Sequence, residues 1–449
     1  MLRWLAALLT LSALPAHADW RDEVIYFAMI DRFADGDPTN NQTVDLENPL
    51  AFHGGDLVGL ANRIEYLADL GVTSLWITPV VQQVQTPIDS DGTPFHGHHG
   101  YWADDFTVLD PRYGSEDDLR NLVNVAHQNG IRVILDVVYN HVGYGADWTT
   151  SRPEWLRQDD ECGGDEITLC LAGLPDLRTE LAEVREHLFN AHIGLALRTG
   201  IDGFRLDTFK HIESDFWAEH RALTKRYLGE DFFLLAELWD GDKYLAKPVF
   251  AADHADALFD FSFRDRTLKF LTNVEQADRY ARYFRSRHDV ENGYTLAPFL
   301  SNHDMPMLLA MLRGDERKIR LAFALLMFAE GPPVISWGEE LGRRGGPWPD
   351  NREDMPWERA EDSELKADVA TLVRIRHSFT DMRKGPVDIV HANAGLLLLR
   401  RGNMMLAINR SEEEAALPPI PLGTWEAIYG SLGPSIPAMS ATILRLVEE

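Results

Sequence analysis

Asp207, Glu237 and Asp304 are the residues of this sequence whose types and surroundings suit chemistry. Each closes a short run with an apolar start: Gly203-Phe-Arg-Leu-Asp207, Leu234-Leu-Ala-Glu237 and Phe299-Leu-Ser-Asn-His-Asp304. Arg205 and Asp207 stand two residues apart, so a strand projects both from one face. A guanidinium beside a carboxylate favours its ionised form, as a carboxylate nucleophile requires. An ordinary structural ion pair looks the same. Recurrence separates the two readings. A fourth run, Asp136-Val-Val-Tyr-Asn140-His141, also ends in polar residues. One aspartate at a strand end is commonly a helix cap; four such ends together are not explained that way. Paired carboxylates in a cleft perform glycoside hydrolysis, one attacking the anomeric carbon while a neighbour of raised pKa protonates the leaving oxygen. Glu237, after an apolar strand and near other acids, fits the proton donor. Asp207 fits the nucleophile, Asp304 a clamp on ring hydroxyls, and His141 and His303 suit sugar hydroxyls.

The elements that must position these residues are read from periodicity. Strand-like runs fall at Val24–Ile30, Thr73–Thr78, Arg132–Val138, Gly203–Leu206, Phe232–Leu235, Ala257–Phe261, Leu296–Leu300 and Pro333–Trp337. Helical patterns lie between them, among them Gly59–Leu70, Glu116–Asn129, Leu181–Thr199, Asp215–Tyr227 and Lys318–Phe328, several ending at a glycine. Eight strands with intervening helices predict an α/β fold, a closed parallel (β/α)8 barrel of the TIM type. Strand C-termini of such a barrel converge on one face, which brings the polar run ends together. Residues 142–176 break the alternation and read as a small subdomain inserted after strand 3. The barrel then occupies 19–141 and 177–383. Beyond it, short apolar runs at Val387–Ile389, Leu396–Arg400, Met404–Ile408 and Ala441–Leu446 predict a C-terminal all-β domain over 384–449, a small sandwich.

Composition narrows the partners. A formal charge of −28 argues against binding nucleic acid or an anionic membrane. Met1-Leu-Arg3, the apolar run Trp4–Leu14 and Ala16-His-Ala18 read as a secretory signal over residues 1–18, too short to span a bilayer. The protein is therefore expected to be exported, to a periplasm or outside the cell. Its two cysteines, Cys162 and Cys170, are expected to pair there.

These runs resemble the α-amylase family, glycoside hydrolase family 13. Asp136–His141, Gly203–His211, Ala236–Trp239 and Phe299–Asp304 are similar to its four sequence motifs, and Leu174–Leu177 to a fifth. Val24–Asp37 resembles the first strand of amylases and cyclodextrin glucanotransferases, and His99–Trp102 their sugar-stacking loop. The resemblance implies that Asp207 is the nucleophile, Glu237 the acid and then the base, and Asp304 the stabiliser of the distorted sugar. It implies that Tyr101, His141, Arg205 and His303 bind substrate at the cleavage point, with Lys210 and His211 toward the leaving group. It implies Ca²⁺ held by Asn140, Asp176 and the His211 carbonyl, oxygen ligands that suit the ion. A second calcium set, Asp35, Asp37, Asn40, Asn41, Gly54 and Asp56, resembles that of the glucanotransferases; without the resemblance it is a solvated turn.

Ala236, Leu238 and Arg178 depart from the family's commoner residues, and specificity does not carry over from the fifth motif. The first expectation is an exported α-amylase that hydrolyses α-1,4-glucosidic bonds of starch or maltooligosaccharides with retention. The alternative is a glucanotransferase or a cyclodextrin- or maltodextrin-degrading relative, toward which the run Trp348–Trp357 hints. A non-catalytic carbohydrate-binding member would have lost an acid, and all three are present. Oligomeric state is left open.

Overall fold

The computed structural model of the protein describes residues 19–287 and 294–448, so the expected signal lies outside the described residues. Eight parallel strands form one sheet: β1 Ile25–Ala28, β2 Ser74–Ile77, β3 Arg132–Val137, β4 Gly203–Leu206, β5 Phe233–Ala236, β6 Ala257–Asp260, β7 Thr295–Pro298 and β8 Val334–Ser336. They follow one another around the barrel in the order β7-β6-β5-β4-β3-β2-β1-β8. Closure between β7 and β8 rests on a single parallel bridge from Phe299 to Val334. Side chains reinforce this seam: Ser336 Oγ donates to the Ser301 carbonyl at 2.5 Å, and Ser301 Oγ to Glu339. The strands are buried on both faces, which is why their sequences read as unbroken apolar runs rather than alternating ones.

Two expected elements depart from the sequence pattern. The first strand stops at Ala28, and Ile30–Phe33 turns helical, because Asp31 folds back to accept the amides of His53 and Gly54. The expected helix Gly59–Leu70 is two helices, Leu57–Asn62 and Ile64–Leu70. Arg63 breaks it at φ −110°, with its guanidinium 4.2 Å over the Trp357 ring.

The C-terminal part is a five-stranded antiparallel sheet, β9 Asp388–Asn393, β10 Leu396–Arg401, β11 Met404–Asn409, β12 Thr424–Tyr429 and β13 Ser440–Glu448, ordered β9-β10-β11-β13-β12. Leu397, Leu399, Leu406 and Ile443 face the barrel, while Leu396, Leu398, Met405 and Leu444 form a second core with Trp425 and Ile436. Both faces are covered, so Leu396–Leu399 shows no polar alternation. Arg401 ties this sheet to the barrel, and Arg376, on the last barrel helix, donates to two of the same buried carbonyls. Arg376 donates to the carbonyls of Met327, Ala329, Met382 and Gly331, and Arg401 to those of Met382, Ala329, Arg383 and Gly385. Met327 and Ala329 close the helix Glu316–Phe328, whose last carbonyls have no amide of their own helix to accept. Arg376→Leu should therefore strand several buried carbonyls and destabilise the protein by about 3 kcal/mol. A thermal melt reads this as a Tm several degrees lower; an unchanged Tm would mean that the carbonyls find other donors.

Candidate active site

The floor of the site is one guanidinium. Arg205 on β4 is fully buried, its plane 5.2 Å above the Trp76 ring inside the barrel. Nη1 donates to both oxygens of Asp136 on β3, at 3.0 and 3.1 Å, and to Asp207 Oδ1 at 2.6 Å. Nη2 lies 3.1 Å from Glu237 Oε1, just beyond β5. Three neighbouring strands thus deliver three carboxylates to one cation. Their register is fixed by the ladder, in which Asp136 pairs with Arg205 and Arg205 with Leu235. Arg205 does not line the cleft itself; it acts through the carboxylates above it.

Asp207, Glu237, Asp304, Tyr101, His141, Lys210, His211 and His303 all line one cleft of about 770 Å³. Backbone geometry aims the acid. Thr208 sits in the left-handed region at φ 49°, a costly conformation for a β-branched residue, and its amide donates to Glu237 Oε2 at 3.0 Å. Tyr101 is fixed by its hydroxyl, which donates to Asp136 Oδ2 at 2.7 Å, and by stacking 5.1 Å from the His303 ring. His141 Nε2 meets the Tyr101 carbonyl at 3.1 Å.

Arg352, Trp348 and Trp239 are among the cleft-lining residues not singled out from sequence as site residues. Arg352 donates to the His303 carbonyl at 3.0 Å and pairs with Asp304 Oδ1 at 3.3 Å. Trp348 and Trp239 expose their rings at its rim. Two of them lie within the run Trp348–Trp357, which in the sequence hints at short substrates without marking a site residue, and nothing in its spacing predicts contact with Asp304.

Burial pushes the Glu237 carboxyl up to about 8, with Asp207 and Asp304 adding repulsion and Arg205 opposing. Burial likewise raises Asp136, against the pull of Arg205. Asp304 behaves oppositely: burial would raise it, but His303, Arg352 and Arg205 together hold it below the ordinary carboxylate value. Burial lowers His303 to about 3, so its ring is neutral at working pH. A carboxylic acid and a carboxylate whose proton affinities are pushed apart form an acid/base pair.

The expected metal ligands fall in two places. At the barrel–insert junction, Asp176 Oδ1 is buried without a donor, while its other oxygen accepts from Arg157 at 3.1 Å. Asn140 is adjacent through the bridge between His141 and Asp176. In the loop after β1, the Oδ1 atoms of Asn40 and Asn41 are also buried without donors. Gly54 adopts φ 94°, and a Cβ there would press within 2.8 Å of Asn41 Oδ1. Asp35 holds the other side of Asn41, and Asp37 accepts from Thr39. Asp56 accepts the amides of Gly36, Asp37 and Gly59, so it anchors the loop. Acceptor oxygens without donors suit an oxygen-loving cation. Among the described residues, no three His, Cys, Asp or Glu side chains cluster as a metal site.

The alpha-amylase catalytic-domain profile matches residues 27–161 and 155–384. A cyclomaltodextrinase of Geobacillus thermopakistaniensis is 31% identical over 89% of this chain and 71% of its own length. Neopullulanase 2 of Thermoactinomyces vulgaris is 30% identical over 92% of this chain and 76% of its own. An Anoxybacillus α-amylase structure superposes with a TM-score of 0.86 at 30% identity, over 96% of this chain and 99% of that one. With the strand-end acids gathered on a buried arginine and most of the chain matched, the protein belongs to the alpha-amylase family of glycoside hydrolases.

Proposed function

We propose that the protein is a retaining hydrolase of short or cyclic α-1,4-glucans, a cyclomaltodextrin- and maltodextrin-degrading enzyme rather than a starch amylase. The observation that carries the reaction is the single guanidinium shared by Asp207 and Glu237. Asp207 attacks the anomeric carbon while Glu237 gives its proton to the departing oxygen, leaving a covalent glucosyl ester. Glu237, now a carboxylate, takes a proton from water, which attacks the ester and frees Asp207. Nη2 of Arg205 is already in contact with Glu237 and offsets the charge that appears there when the proton leaves. Asp304, kept ionised by Arg352 and Arg205, accepts from ring hydroxyls of the distorted sugar. The choice of substrate is supported by the relatives named cyclomaltodextrinase and neopullulanase, in preference to the starch amylase expected first from the sequence.

We also propose export through residues 1–18, supported by the bonded pair Cys162–Cys170. Structural Ca²⁺ is proposed at Asn140, Asp176 and the His211 carbonyl, and at Asp35, Asp37, Asn40, Asn41 and Gly54. There it would neutralise carboxylates and pin loops, taking no part in the chemical steps.

Substrate choice is tested by kcat/KM on β-cyclodextrin, maltoheptaose and soluble starch. The first two should exceed starch by about tenfold, a discrimination within reach of ordinary subsite contacts. Starch preferred would return the reading to an α-amylase, and products longer than the substrate would make it a transferase. Asp207→Asn should lower kcat by about three orders of magnitude or more. A general acid works only while protonated, so kcat/KM should fall as pH rises through the raised value of Glu237, near pH 8. An alkaline limb near the ordinary carboxylate value would remove that role. Exhaustive chelation should lower Tm by several degrees, restored by Ca²⁺; an unchanged melt discards the metal.

A further inference from the structure

The wall of the cleft beside the acid is a loop that the reaction scheme leaves without a role. Cys162 and Cys170 are bonded, with Cα atoms 5.5 Å apart, and close it. Its turn is locked internally: Asp165 Oδ1 accepts the amides of Ile167 and Thr168, at 2.9 and 3.0 Å, and Thr168 Oγ1 accepts those of Gly164 and Asp165. The locked turn presents Glu166 to the segment that follows β4. Its carbonyl accepts from His211 Nδ1 at 2.7 Å, and its Oε2 lies 3.4 Å from Lys210 Nζ. Behind the loop lies a second cavity of about 790 Å³, and Leu169 and Leu174 line both volumes. The wall is therefore held by its bridge, its turn and the contacts of Glu166, not by a packed core behind it.

The segment that Glu166 grips is itself bonded to the proton donor. Thr208 donates to the Glu237 carboxyl, and the Phe209 amide to the Glu237 carbonyl at 3.1 Å. Lys210 and His211 follow directly on Thr208 and Phe209 and line the same cleft as Glu237, which sets them beside the acid. Lys210 is partly exposed in the cleft, and its flexible ammonium has no fixed direction without a partner.

We infer that Glu166 is a positioning residue for the leaving-group side: it holds Lys210 and His211 so that the Lys210 ammonium donates to, and His211 Nε2 accepts from, hydroxyls of the departing glucose. This rests on the retaining α-glucan hydrolase proposed above. The ligand is a neutral sugar ring, recognised by an ammonium and an imidazole that the bridged loop keeps in place.

Two substrates with the same maltosyl half and different leaving groups isolate the effect: maltotriose, which releases glucose, and 4-nitrophenyl α-maltoside, which releases a phenol. For Glu166→Ala, KM for maltotriose should rise about tenfold with kcat within about twofold, while both constants for the nitrophenyl substrate stay within about twofold. Glu166→Gln, which keeps an acceptor at the same reach, should recover most of the loss. The double variant Cys162→Ser/Cys170→Ser should show the same split, because an unbridged wall no longer presents Glu166. An equal effect on both substrates, or none on either, overturns the inference. Wild-type protein that cleaves neither substrate overturns instead the reading on which it rests.

Discussion

The protein is organised around a charge imbalance that burial does not tolerate. Three carboxylates surround Arg205, and one guanidinium offsets one of them. Ionising all three in a dry barrel is unfavourable, and the proton affinity rises most at the groups that burial penalises most. Glu237 and Asp136 are those groups. Asp136 uses its place to fix Tyr101 and Arg205; Glu237, open to the cleft, has a proton to give. The acid of the proposed reaction is thus made first by burial, with the neighbouring carboxylates adding to it and the one guanidinium beneath only partly opposing.

Much of this was legible in the sequence because a parallel barrel writes plainly. Strands covered on both faces read as Gly203-Phe-Arg-Leu or Phe233-Leu-Leu-Ala, and polar residues at their ends stand out against that background. Arg205 was visible but its place was not: two-residue spacing put it beside Asp207 without saying that it also reaches Asp136 and Glu237 from below. Arg352 and Glu166 were not legible at all. Each meets the site across more than forty residues through a loop, and no periodic pattern records such a contact. The break at Arg63 was hidden for a similar reason, since its partner Trp357 is remote in sequence.

The same division separates reaction from substrate. Strand ends carry the carboxylates, and in barrels of this kind that scaffold stays fixed while loops vary. Around this cleft the loops are the insert with its bridged turn, the segment holding Phe95 and Tyr101, and the run with Trp348 and Arg352. The strand-end carboxylates thus belong to the fixed scaffold, and the loops around the cleft are where members of such a fold differ.

The seam between β7 and β8 adds a mechanical asymmetry. Asp207 and Glu237 directly follow β4 and β5, strands laddered on both sides, so the two groups assigned above to attack and proton transfer share one continuous stretch of sheet. Asp304 stands just past the one-bridge joint, where side-chain ties replace the ladder. The least laddered joint of the barrel therefore lies on the Asp304 side of the cleft, and the continuous ladder on the side of Asp207 and Glu237.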